Sequence, residues 1–279
     1  MKQKIQRAFF PGDQWLFFKI YIGLREVDNI LIETIAPYIK HLFKKHYIDK
    51  WFFIRYSDPD YHIRLRVHVS EINAYGTIIT MLHSALNRYI KSHIKSKVVI
   101  DTYIRELERY GHEDIDTCES FFQHDSTLIC RIMQLTQSES ILWQSSVLFI
   151  QKLLLNAFNT DSERNNFLSL MSKSYCTEFG YDSSNQKNLN AMYRKYRPII
   201  DTLIAGPITD PALIQCNESI IAITTKYKLL VSKNNILSSL IHMHFNRLFA
   251  VNQRKYELII YYFMSKSYKS MISRALKCV

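Results

Sequence analysis

Apolar and polar positions along the first hundred residues follow two periods in turn. Gln14 to Ile22 (QWLFFKIYI) is dense in aromatic and β-branched residues and stops at Gly23, which predicts a strand. Leu31, Ile35, Tyr38, Ile39, Leu42 and Phe43 then recur at helical spacing. They predict a helix from an Asp28 cap to about His46, with Pro37 kinking or splitting it. Trp51 to Tyr56 (WFFIRY) predicts a second strand, and Ser57-Asp58-Pro59-Asp60 a turn. His62 to Val69 (HIRLRVHV) alternates strictly and predicts a third strand. A helix over about 70–93 and a fourth strand, Lys97 to Tyr103, complete a β-α-β-β-α-β order. This is the split-βαβ or ferredoxin-like motif, in which the first and third strands pair at the centre.

Beyond Gly111 the period becomes helical throughout. Helices are predicted at about 117–136, 139–158, 162–180, 186–203, 212–230, 234–249 and 253–272, parted by polar turns such as Gly206-Pro207. The expected fold is α+β: one domain over 1–279, with a sheet-containing region (1–115) packed with a mainly helical half (116–279). Six glycines leave no GxGxxG or GxxxxGK[ST] loop, which argues against a nucleotide site. No apolar run is long enough for a signal peptide or a membrane span. Cys118, Cys130, Cys176, Cys216 and Cys278 are odd in number and never form CxxC, so reduced thiols in a cytoplasm are expected. The net charge of +11 favours an anionic partner: nucleic acid, membrane surface, acidic peptide or small carboxylate.

The third strand carries the sharpest chemistry. Strand side chains alternate, so His62, Arg64, Arg66 and His68 share one face, and Ile63, Leu65, Val67 and Val69 the other. Same-face neighbours sit about 7 Å apart, and two guanidiniums held that close repel unless an anion lies between them. The rival reading is a solvated face whose arginines pair with acids of neighbouring strands. Parity does not decide on which side Arg55 falls. Arg109 either serves a site or forms a helical-turn pair with Glu106. Asp125 and Ser126 read most simply as a helix cap. His242 and His244 are about 200° apart on a helix and cannot share a metal, whereas His242 and Asn246 share a face.

These segments resemble a known family. Trp51-Phe-Phe-Ile-Arg55-Tyr56-Ser-Asp58-Pro59 with His62-Ile-Arg64-Leu-Arg66 resembles the "FFIRY-DP-HLRLR" signature of the thiopeptide-type bacteriocin biosynthesis domain. That domain is the C-terminal, glutamate-elimination part of class I lantibiotic dehydratases. The stretch from Pro11 to Tyr21, the Tyr103-x-x-Glu106-x-x-Arg109-Tyr110-Gly111 segment, Phe122-x-x-Asp125-Ser126 and His242-Met-x-x-Asn246-Arg247 extend the likeness. His112 departs from it, standing where the family has a second Gly, and the chain is expected to act without the large glutamylation domain.

The resemblance implies a stand-alone lyase of ribosomal-peptide biosynthesis. A separate tRNA-dependent protein glutamylates Ser or Thr of a precursor peptide, and this domain expels glutamate to leave dehydroalanine or dehydrobutyrine. Arg64, Arg66, Arg109 and His242 match the elimination residues. Arg55, His62, Asp125, Ser126, Asn246 and Arg247 are expected to bind substrate. No metal, cofactor, nucleic acid or membrane is expected; a transient complex with the glutamylating protein is, and a homodimer is left open. One alternative is a pyridine-forming [4+2] cycloaddition enzyme acting on dehydroalanines. Another is a non-catalytic peptide- or RNA-binding module, against which stand the missing Gly-Phe-Gly-Phe run and the large helical half.

Overall fold

The computed structural model describes residues 5–92 and 97–277. Cys278 and the end of the helix predicted over 70–93 lie outside the described residues. The architecture is α+β and divides into two compact units, Met1–Gln134 and Leu135–Val279.

The first unit opens with β1 (Ala8–Phe9), β2 (Trp15–Tyr21), α1 (Val27–Ile30), a π-helical turn (Leu31–Ile35) and α2 (Ala36–Lys44). It continues with β3 (Ile48–Tyr56), β4 (His62–Val69), α3 (Tyr75–Ser92), β5 (Lys97–Asp101), β6 (Tyr103–Ile104), α4 (Leu107–Tyr110) and α5 (Ile115–Leu135). Four strands form an antiparallel sheet in the order β3-β4-β2-β5, so β2 and β4 are central. One face is apolar: Leu16, Phe18, Ile20, Ile63, Leu65 and Val67 are buried, together with Ile35, Ile39, Leu42, Ile78 and Leu82 of the helices. Burying each such side chain contributes about 1.5–3 kcal/mol, which fixes the strand register, because a one-residue slip would invert the faces.

The helix predicted over 28–46 spans Val27 to Lys44 and is split as expected: Pro37 offers no N–H to the turn before it, and the chain widens into the π-helical turn immediately upstream. Two expectations are corrected here. Asp28 lies inside the first turn of α1 and is not its cap. The fourth strand stops at Asp101. Tyr103–Ile104 turns away to pair with Ala8–Phe9 as a separate two-stranded ribbon.

The second unit is helical: α6 (Glu139–Ala157), α7 (Asp161–Glu178), α8 (Ser183–Ala205), α9 (Pro211–Lys226), α10 (Lys228–Val231), α11 (Asn234–Leu248) and α12 (Gln253–Ala275). The helix predicted over 212–230 breaks at Tyr227. α12 packs on α7, α8 and α11, and α6 packs on α9. Thr160 and Glu163 form a capping box at α7, and Asp210 caps α9 ahead of Pro211. Among the described residues no helix is long and apolar enough to cross a membrane.

Candidate active site

Register places Arg66 opposite Phe17 and Phe52, and Arg64 opposite Lys19 and Ile54, so these side chains share the sheet face that turns away from α2 and the apolar core. Arg66 is only 8% exposed. Its guanidinium carbon lies 4.6 Å from the ring centre of Phe17, 4.8 Å from Tyr103 and 5.1 Å from Phe52. A guanidinium is weakly hydrated and is attracted to ring faces, so this aromatic slot holds the charge at modest desolvation cost. The Arg64 guanidinium lies 3.4 Å over the Tyr56 ring, and its Nε donates to His62 Nε2 at 3.2 Å.

That bond defines the state of His62. Nδ1–H donates to the Asp60 carbonyl at 2.8 Å, leaving Nε2 as the acceptor for Arg64, so the ring is neutral. Burial pushes its pKa down, and the charges of Arg64 and Lys19 push the same way, against the Asp60 carbonyl. Both nitrogens are engaged, which makes His62 a support for Arg64. His68, at the other end of the row, is drawn to Asp49 at 2.6 Å.

A second layer holds Tyr103, one wall of the Arg66 slot. Its hydroxyl donates to Glu119 Oε1 at 2.8 Å. Arg105 donates through Nε to the same oxygen at 2.8 Å, through Nη2 to Glu119 Oε2 at 2.6 Å, and to Asp116 at 2.6 Å. Glu119 is fully buried on α5. Burial and the Glu119 charge raise the Tyr103 phenol well above its ordinary pKa, so it stays a donor. Sequence reasoning missed Arg105 and Glu119 because a strand-to-helix pair fourteen residues apart leaves no periodic trace.

The other expected residues divide. Arg109 forms the helical-turn pair with Glu106, at 3.5 Å, on the short α4. Arg55 falls on the opposite side of the sheet from Arg64 and Arg66: it sits opposite Ile63, is 1% exposed, and bonds Asp28 at 2.6 Å and the Tyr61 hydroxyl at 3.3 Å. The structure therefore removes Arg55 from the basic row. Asp125 and Ser126 lie buried in the middle of α5, which corrects their reading as a helix cap; Ser126 Oγ accepts the Phe53 N–H at 3.2 Å and pins α5 to the edge strand.

In the second unit, His242 Nδ1 lies 3.0 Å from Glu257 Oε2, and Glu257 is buried on α12. A carboxylate on Nδ1 directs the imidazole and leaves Nε2 for chemistry. Tyr175 and Tyr261 have raised pKa values, through burial and then the Glu257 charge. Asn246 is half-buried one turn along α11, and Arg247 is buried. His244 points elsewhere and stacks on Phe149 at 3.7 Å, as the 200° separation requires. Among the described residues no three metal-ligating side chains cluster.

The profile of the lantibiotic biosynthesis dehydratase C-terminal family matches residues 15–268, and the chain belongs to that family. It is 28% identical to the nisin biosynthesis protein NisB of Lactococcus lactis subsp. lactis, over 95% of this chain and 26% of NisB. It is 27% identical to the subtilin biosynthesis protein SpaB of Bacillus subtilis, over 88% of this chain and 25% of SpaB. It thus spans about a quarter of the length of these curated relatives. Its fold is similar to the tRNA-dependent lantibiotic dehydratase MibB from Microbispora sp. 107891 (TM-score 0.66, 18% identity, 95% of this chain and 29% of MibB). It is also similar to the pyridine synthase TbtD from thiomuracin biosynthesis (TM-score 0.69, 10% identity, 92% of this chain and 98% of TbtD).

Proposed function

We propose that this protein eliminates glutamate from glutamylated Ser or Thr of a ribosomally made precursor peptide. The observation that carries the reading is the pair Arg64 and Arg66, fixed side by side on a central strand. In the reaction a base takes the peptide α-proton, the C–H electron pair becomes the Cα=Cβ bond, the Cβ–O bond breaks, and glutamate departs through its α-carboxylate. Negative charge grows on that carboxylate, and immobilised guanidiniums stabilise it more in the transition state than in the ester. By family likeness, Arg109 and His242 match the elimination residues, and a histidine directed by a carboxylate, as His242 is by Glu257, is suited to donating a proton or orienting an ester. On this reading the glutamyl group is attached beforehand, in a tRNA-dependent step. The strand order β3-β4-β2-β5 supports a ferredoxin-like reading of the sheet.

The assay supplies a precursor peptide already glutamylated on Ser or Thr and measures free glutamate and peptide mass. Release of glutamate is expected, and none from the unmodified peptide. Arg66→Ala is expected to slow release by about 10²–10³-fold, the usual cost of removing one charge-stabilising donor, so that glutamyl esters accumulate. The likeness to TbtD, over nearly the whole of both chains, favours a second reading: pyridine formation from two dehydroalanines. Ring closure on a multiply dehydrated peptide, with glutamyl esters left untouched, would select it.

A further inference from the structure

Lys19 on β2 stands directly across from Arg64 on β4, on the same sheet face. Like charges facing each other across strands repel, and such a pair lasts only where each cation is held. Each is held from its outer side. Lys19 is ion-paired to Asp101 of β5, and Arg64 is tied to His62 and laid on Tyr56. The Lys19 side chain is about one-quarter exposed, so it is reachable without being loose. The Lys19 hydrogen bond is the main cause that lowers the Asp101 pKa, with the Arg64 charge a smaller one, and burial is the main cause that lowers that of His62, with the Arg64 and Lys19 charges smaller ones. With Asp101 cancelling one charge, Lys19 and Arg64 leave one net positive charge facing outward, beside Arg66.

We propose that Lys19, positioned by Asp101, joins Arg64 in clamping the free side-chain carboxylate of the glutamyl group, making Lys19 the residue that selects glutamate over its neutral amide. This rests on the elimination reading and adds a recognition role to it. A glutamyl ester carries one anion more than a glutaminyl ester of nearly the same shape, so a buried-edge cation pair separates the two by charge alone.

The test uses one precursor peptide esterified on the same Ser by glutamate or by glutamine, with amino-acid release followed for the wild type, Lys19→Met, Lys19→Arg and Asp101→Asn. The wild type is expected to favour the glutamyl ester by roughly tenfold or more in kcat/KM. Lys19→Met should lose most of that preference through a higher KM for the glutamyl ester, with the glutaminyl rate unchanged. Lys19→Arg should keep the preference, and Asp101→Asn should weaken it. Equal slowing of both esters by Lys19→Met, or a preference that survives it, would overturn the assignment while leaving elimination standing. A wild type that releases neither amino acid would remove both.

Discussion

His62 shows how one side chain's ionisation state sets the geometry of another. Its pKa lies below the ordinary 6.5, because burial and two neighbouring cations disfavour the charged ring. The native state therefore binds fewer protons here than the unfolded chain, and stability rises with pH between the two pKa values. The His62 contribution is complete above about 6.5 and is lost as pH falls through the depressed value, where protonation also ends acceptance from Arg64. Glutamine at this position can accept the same bond without titrating. Melting temperatures between pH 5 and pH 8 should fall more steeply on the acidic side for the wild type than for His62→Gln; parallel profiles would rule the role out. Parity alone gave the shared face of His62, Arg64 and Arg66. The tautomer of His62 was not legible because it depends on the Asp60 carbonyl, and the side on which Arg55 falls because it depends on the register of β3 against β4, set only in the folded chain.

At the scale of elements, α5 does more than cover the sheet edge. It brings Glu119 to Arg105 and Tyr103, and Ser126 to the backbone of Phe53. Removing one partner of a buried ion pair strands the other charge. Glu119→Ala should therefore cost about 3–5 kcal/mol in denaturant unfolding of the whole chain, and Glu119→Gln clearly less. A loss below about 1 kcal/mol would show that Asp116 suffices as the partner of Arg105. Most long helices could be read from periodicity, because each buries a stripe whose spacing repeats several times, and the four long strands from alternation in β4 and from aromatic and β-branched density in the others. The β1–β6 ribbon could not: two residues per strand complete no period, and the pairing joins segments almost a hundred residues apart.

For the molecule as a whole, a net charge of +11 is a long-range property that no single residue carries. Each glutamyl ester adds a side-chain carboxylate and an α-ammonium and so leaves a peptide's net charge unchanged; the field steers capture through acidic residues of the peptide itself. Exposed charges are screened within about 10 Å at 0.1 M salt. For a glutamylated peptide of net negative charge the expected result is a several-fold fall in kcat/KM between about 50 and 300 mM salt, with kcat nearly constant. A flat dependence would confine the electrostatics to the clamp itself. The family match over residues 15–268 says which relatives share this body, and the two units say how the body is divided.

The β1–β6 ribbon carries a practical consequence. Arg105 takes its backbone partner from Arg7, bonds the Gln6 carbonyl, and lies over Phe9, whose ring stacks on Tyr103. The opening segment is thus a buttress standing two rings away from the Arg66 guanidinium. Affinity handles, protease sites or circular-permutation breakpoints introduced between Gln6 and Phe9 would disturb the aromatic slot around Arg66 as surely as a substitution inside it.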